Sequence, residues 1–319
     1  MTPVLEADGL QRFYRQRRFL RPGADVRAVD GVSFTLEAGH TLAVVGESGC
    51  GKSTLARMLA LLDTPTAGTV RVDGRPASPD DKATRRAVQM VFQDPYGSLN
   101  PRQTVRAILE EPLAIAGEPA SRRREAALAM IGNVGLRSDQ LDRYPHQFSG
   151  GQRQRIAIAR ALMLHPSVVI ADEPVSALDV SVRAQVLNLL LELQDRLGLA
   201  YVFISHDLGV VRHMANDVAV MYLGRIVEQA PRAVLFANPR HPYTRALLAA
   251  TPELAPRRTD PEPVRGEPPS PLAPPPGCHY HTRCPHAQPV CREAVPLLRP
   301  VGATRAACHF AEALPPVAA

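Results

Sequence analysis

Apolar residues along this chain follow two periods that succeed one another. TLAVV (41–45) is an unbroken apolar run; GESGCGK follows as a glycine-rich turn, and TLARMLALL then carries apolar residues at helical spacing. The order predicts strand, turn, helix. Further runs recur in VQMVFQDP (Val88 to Pro95), SVVIADEP (Ser167 to Pro174) and AYVFISHDL (Ala200 to Leu208). Such continuous β-branched segments suit parallel strands covered on both faces, each ending here in polar groups. Alternation in VLEADGL and VSFTLEAGHTLAVV predicts an opening sheet, with GTVRVDG as a short strand and turn. Between the first two lies RFYRQRRFLRPGADVRAV, read as a solvated basic loop, with acidic lipid headgroups as the alternative partner for its arginines.

From Leu99 to about Leu164 the period becomes helical, in VRAILEEPLAIAG, SRRREAALAMIGNVGL and FSGGQRQRIAIARALMLHP. SALDVSVRAQVLNLLLELQDRLG predicts a turn and a long amphipathic helix, DVAVMYLGRIVEQ a hairpin-like pair of strands, and PRAVLFA a closing helix. The fold class expected is α/β: a mostly parallel core, an antiparallel N-terminal sheet and a helical subdomain. Residues 1–250 form one domain on this reading, with the helical subdomain at about 99–164, followed by a linker at 251–277 and a small extension at 278–319.

Chemistry concentrates at the strand ends. Val44 to Thr54, VVGESGCGKST, matches G-x-x-x-x-G-K-[ST] through Gly46, Gly51, Lys52 and Ser53. Glycines allow backbone N–H groups to close around a phosphate. Lys52 offers a point charge to terminal phosphates, Ser53 a hydroxyl for Mg²⁺, and the following helix an electropositive end. A flexible glycine turn is the simpler alternative, and the flanking strand and helix weigh against it. Gln93 ends an apolar strand, where a ligand meets an open α/β sheet. Ser149, Gly150 and Gly151 precede an amphipathic helix, and read either as a second anion site or as an ordinary helix cap. Asp172 ends the SVVIAD run, placed to hold Mg²⁺ through its water shell. Glu173 follows, placed to orient or deprotonate an attacking water; a solvated strand end is the alternative. His206, at the end of another strand, reads as a phosphate sensor at the same sheet edge. Tyr14 offers a flat face to a purine ring, or packs as an ordinary loop aromatic.

Composition narrows the setting. The chain has 319 residues, 45% of them hydrophobic, with a net charge of +6 and a pI near 9.3. Its basic excess is diffuse and interrupted by acidic residues, so no nucleic-acid partner is indicated. No run of about 18 apolar residues exists, and MTPVLEADGL lacks the regions of a signal peptide, which points to a cytosolic protein. Residues 252–276 hold 10 of the 31 prolines, the composition of a semi-rigid connector, with a disordered tail as the alternative. Beyond it, Cys278, Cys284, Cys291 and Cys308 have the spacing C-x5-C-x6-C-x16-C in a segment too small for a core of its own. Paired C-x₂₋₄-C zinc knuckles are absent. The spacing favours a [4Fe–4S] cluster, with zinc second and free thiols third, in a structural or redox-regulatory role remote in sequence from the phosphate loop.

GESGCGKST, Gln93, FSGGQRQ, VVIADE, SALD and FISHD occur in the order found in the ATP-binding cassette (ABC) ATPases. Residues 4 to about 240 carry that resemblance, and FSGGQ is its specific element. QDPYGSLNPR, RYPHQFSGGQRQRIAIARAL, ADEPVSALDVSVRAQVLNLL and NPRHPYTRALL extend a narrower one, to the ATPase subunits of dipeptide and oligopeptide importers, over nearly the whole chain. Of the two paralogous ATPases of such importers, the chain resembles the one designated F.

The resemblance implies a P-loop NTPase fold and ATP held between two ATPase subunits, normally a heterodimer. Gly46, Ser48, Gly49, Gly51, Lys52, Ser53 and Thr54 of one would face Ser149, Gly150, Gly151 and Gln152 of the other. It implies that Tyr14 stacks on adenine, Gln93 touches Mg²⁺ and reports to the membrane subunits, and Ser53 and Asp172 hold Mg²⁺. Glu173 would be the general base, His206 would contact the γ-phosphate, and Asp179 would tie the two sites together. The implied partners are two integral membrane permeases, whose coupling helices meet the PYGSLNPR region, and a periplasmic or extracellular peptide-binding protein. The implied place is the cytoplasmic face of the inner membrane. An importer for nickel, glutathione or another solute is the nearby alternative. A soluble ABC ATPase of nucleic-acid repair or translation is a distant one, because its usual coiled-coil inserts or second cassette are missing.

Overall fold

The computed structural model describes residues 3–18, 21–251 and 266–314, with only the backbone of residues 16–18 and 21–24. In chain order the elements are β1 (Leu5–Arg18), β2 (Arg21–Leu36), β3 (Thr41–Val45), α1 (Lys52–Leu59), β4 (Ala67–Val72), β5 (Arg75–Pro76), α2 (Lys82–Ala87), β6 (Val88–Val91) and α3 (Pro95–Ser98). The helical region follows with α4 (Val105–Ile115), α5 (Ala120–Asn133) and α6 (Gly150–Leu162). Then come β7 (Val168–Asp172), α7 (Val180–Leu197), β8 (Ala200–Ile204), α8 (Leu208–Met214), β9 (Asp217–Tyr222), β10 (Arg225–Pro231), α9 (Arg232–Ala237) and α10 (Pro242–Ala249). The C-terminal extension adds α11 (Val290–Glu293), β11 (Arg299–Val301) and β12 (Thr304–Ala306).

The apolar runs become the central strands. β9, β3, β8, β7 and β6 lie side by side and parallel, so the carboxyl ends of β3, β7 and β8 open toward one edge. Every residue of β3, β7 and β8 is buried, which explains why their sequences run apolar without alternation. β2, β1, β4 and β5 form a separate antiparallel sheet, whose inner residues Leu10, Val32 and Phe34 share a core with Leu55, Met58 and Leu59 of α1. α4, α5 and α6 pack with α7 around Ile108, Leu109, Ile131, Ile156 and Leu190. That arrangement is the expected α/β class, with a helical region where helical periodicity begins.

One expectation needs correction. Within the stretch read as a solvated basic loop, the described residues continue β1 and β2, which pair Tyr14 with Val26 and Arg18 with Arg21 across register shifts. Its arginine-rich composition hid a strand because a two-stranded ribbon needs no apolar face of its own to complete its backbone hydrogen bonds. The extension joins the main sheet. β12 pairs antiparallel with β10 through Glu228 opposite Ala306 and Gln229 opposite Arg305, so β11 and β12 become outer strands of the main sheet. Most of the proline-rich linker, residues 252–265, lies outside the described residues. Helix α2 was not foreseen; Asp81 caps it, accepting from the N–H groups of Ala83 and Thr84.

Candidate nucleotide site

The phosphate loop leaves β3 and enters α1 at the open edge of the parallel sheet. Gly46 and Gly51 are required there first by neighbouring backbone. A β-carbon at Gly46 would stand 2.2 Å from the Met221 carbonyl oxygen, and one at Gly51 would stand 1.9 Å from that of Ala28. The sequence reading gave phosphate approach as the reason; the fold adds the closeness of β9 and β2. Ser48 and Gly49 are exposed at the loop tip. Lys52 is only 6% exposed, and its amine donates to the carbonyls of Gly46 at 2.7 Å and Glu47 at 3.0 Å. Those contacts hold a buried cation at the loop's centre.

Ser53 and Asp172, 119 positions apart, meet at the same edge: the Ser53 hydroxyl lies 3.3 Å from Asp172 Oδ1. Asp172 is 6% exposed, and burial raises its pKa above the ordinary carboxylate range, opposed by Ser53 and reinforced by Glu173. A hydroxyl beside a buried carboxylate is an oxygen donor set suited to Mg²⁺.

Glu173 is the centre of a second group. Gln93 Nε2 donates to Glu173 Oε2 at 3.2 Å, and His206 Nδ1 lies 3.1 Å from that same oxygen. Three strand ends, those of β6, β7 and β8, thus deliver an amide, a carboxylate and an imidazole to one point. Glu173 also has a left-handed backbone, φ 45°, unusual for a non-glycine residue. The Ile204 carbonyl accepts its N–H at 3.0 Å and Ser176 donates to its carbonyl at 3.0 Å, so the surrounding structure holds this conformation.

Other predicted residues stand apart. Thr54 sits in the first turn of α1. Tyr14, on β1, has the Arg12 guanidinium 4.8 Å from its ring centroid, and its hydroxyl donates to Asp63. Ser149 is the N-cap of α6: its hydroxyl accepts from Gln152 N–H, and the Gln152 side chain accepts from Ser149 N–H. This is the helix cap weighed above, with Gly150 and Gly151 inside the first turn of the helix. Among the described residues no hydrogen bond joins Ser149–Gln152 to the phosphate loop. Asp179 is the exposed N-cap of α7.

The extension holds what sequence reasoning missed. Arg283 donates from both terminal nitrogens to the Glu47 carboxylate, at 2.9 and 3.0 Å, so the cysteine-rich segment touches the phosphate loop across 236 positions. Nothing in a lone arginine of the YHTRC segment signals that contact, which brings a segment remote in sequence against the loop. Burial opposes the Arg283 charge, but Glu47 and Tyr222 outweigh it and hold its pKa above the ordinary value. Cys278, Cys284, Cys291 and Cys308 line one pocket with His281 and His309. Burial, then neighbouring thiols, pushes Cys278 up to about 11 and Cys284 up to about 12. Among the described residues no group of three or more His, Cys, Asp or Glu side chains is arranged to hold a metal ion.

Residues 29–176 match the family described as ABC transporter, and residues 227–291 match the oligopeptide/dipeptide transporter C-terminal region. The chain is 57% identical to a di/tripeptide transport ATP-binding protein of Pseudomonas aeruginosa, covering 98% of this chain and 99% of that protein. It is 56% identical to the dipeptide transport ATP-binding protein DppF of Escherichia coli (96% and 94%) and 48% identical to the oligopeptide transport ATP-binding protein AppF of Bacillus subtilis (96% and 97%). Among solved structures, the ATP-binding cassette MJ0796, a dimer bound to ADP and phosphate, superposes with a TM-score of 0.63 at 28% identity, covering 72% of this chain and 98% of that one. The fold, the gathering of Gln93, Glu173 and His206 beside the phosphate loop, and these relatives agree: the chain belongs to the ABC ATPases, in the branch that carries the oligopeptide/dipeptide transporter C-terminal region.

Proposed function

We propose that this chain is the ATP-hydrolysing subunit that powers import of dipeptides and oligopeptides through a bacterial ABC transporter. The observation that carries the reading is the junction of Gln93, Glu173 and His206 on one carboxylate oxygen, beside the Ser53 and Asp172 pair. Lys52 and the loop N–H groups receive the terminal phosphates. Ser53, Asp172 and Gln93 would hold Mg²⁺, which would supply positive charge to the phosphates. Glu173 takes the proton of the attacking water; His206 stands beside that carboxylate to contact the γ-phosphate. Tyr14 provides a face for adenine.

The Ser149–Gln152 turn completes the site of a second ATPase subunit, a paralogue, with Asp179 at the junction. The free N–H groups at the start of α6 suit an anion arriving from that partner. Two membrane permeases and a peptide-binding protein complete the assembly, with the exposed α3 region, around Tyr96, facing the permeases. We further propose that Cys278, Cys284, Cys291 and Cys308 bind a [4Fe–4S] cluster, with zinc as the alternative occupant. What supports this is that the four cysteines line one pocket in an irregular loop segment. Anaerobically purified protein is expected to contain iron and acid-labile sulfide and to absorb as a brown chromophore; protein lacking both would remove the cluster from the account.

Purification of the tagged chain from its own membranes, followed by reconstitution, tests the transport role. Co-purifying permeases and faster ATP hydrolysis with peptide-loaded binding protein are expected. Membrane partners without a peptide response would move the substrate to another solute, and no membrane partners at all would contradict a transport role.

A further inference from the structure

Glu47 places a carboxylate inside the loop that must receive a polyanion. An uncompensated negative charge there opposes a triphosphate by direct repulsion, and more strongly in a partly buried site than in water. The fold holds this one residue by three of its groups. Its carbonyl accepts from Lys52 at 3.0 Å, its N–H donates to the Tyr243 hydroxyl at 2.9 Å, and its carboxylate takes the two-pronged contact of Arg283. Arg283 is 6% exposed as a residue, and it also donates to the Tyr222 hydroxyl at 3.4 Å. Its guanidinium lies 5.8 Å from the ring centroid of Tyr222 and 5.9 Å from that of Tyr280.

Those rings form a buried platform. Tyr222 of β9, Tyr243 of α10 and Tyr280 of the extension have centroids 4.6 to 5.4 Å apart. Arg283 therefore cannot swing away from Glu47 without breaking aromatic packing. The turn that presents it is part of the cysteine pocket. Arg283 N–H donates to the Tyr280 carbonyl and Cys278 N–H to the Cys291 carbonyl, so the backbone that shapes the pocket also aims the guanidinium.

We propose that Arg283 is a positioning residue of the nucleotide site: it neutralises and orients Glu47 so that the phosphate loop accepts the triphosphate, and it makes ATP affinity depend on the fold of the C-terminal cysteine turn. The protein contacts carry this inference whatever occupies the cysteine pocket. Arg283 acts on binding and not on the chemical step, because Gln93, Glu173 and His206 make their contacts at other strand ends.

The test uses the full-length chain, with fluorescent ATP titration and steady-state hydrolysis. Arg283→Met is expected to raise the Kd and KM for ATP about tenfold, the worth of one good charge-assisted pair, while kcat stays within about twofold. Adding Glu47→Gln to Arg283→Met removes the exposed negative charge and is expected to recover most of the affinity. A role confined to general stability would not give that rescue. Unchanged ATP affinity in Arg283→Met, an equal loss in kcat, or a double variant as weak as the single one would each overturn the inference. Should Arg283→Met fail to fold, Arg283→Gln removes the charge and keeps a hydrogen-bond donor: weakened ATP binding with kcat retained supports the role, and unaltered binding overturns it.

Discussion

At the residue scale, the nucleotide site rests on charges that the fold keeps out of water. Asp172 shows the cost, because burial favours its protonated form. A carboxylate whose folded pKa is raised contributes stability that is full below its unfolded pKa and is lost as pH rises through the folded value. The nucleotide-free protein therefore carries a penalty at neutral pH that Asp172→Asn removes. This variant is expected to melt higher than the wild type at pH 7, with the difference vanishing as pH falls into the ordinary carboxylate range, while Mg²⁺-dependent hydrolysis drops by about a hundredfold or more. Equal melting at both pH values would contradict the assignment of burial as the cause. The gathering of Asp172, Glu173 and His206 was legible because each ends an apolar strand, and parallel strands bring their carboxyl ends to one edge. The Arg283 contact was not legible: nothing in the periodicity of the extension says which element it lies against.

At the scale of elements, the extension belongs to the sheet that carries the site. β12 hydrogen-bonds to β10, Ala307 N–H donates to the Val227 carbonyl, and Tyr280 packs against Tyr222, Tyr243 and His241. A chain ending at Thr251 would leave the β10 edge unpaired and three buried aromatic contacts open, which invites aggregation. Such a truncation is expected to lower the melting temperature by more than about 5 °C and to reduce the soluble fraction. A truncated chain as stable as the whole would show that the extension is dispensable to the fold. The sequence pattern announced the parallel strands and the helical region because their periods are long and regular. It concealed the β1–β2 ribbon, whose arginines read as loop, and the joining of β12 to β10, because a three-residue strand carries too little pattern to declare a partner.

At the scale of the whole molecule, no helix among the described residues is long and apolar enough to cross a membrane, and among the described residues no hydrogen bond joins the α6 cap to the phosphate loop. The family's signature was readable from FSGGQ and its neighbours, because that motif is specific and short.

The most direct measurement is ATP hydrolysis by the reconstituted transporter with peptide-loaded binding protein, comparing this chain with its Glu173→Gln variant while nucleotide binding is followed in parallel. The account predicts that peptide stimulates the wild type and that Glu173→Gln loses at least about a hundredfold in turnover while still binding ATP. Turnover retained by the variant would contradict Glu173 as the base.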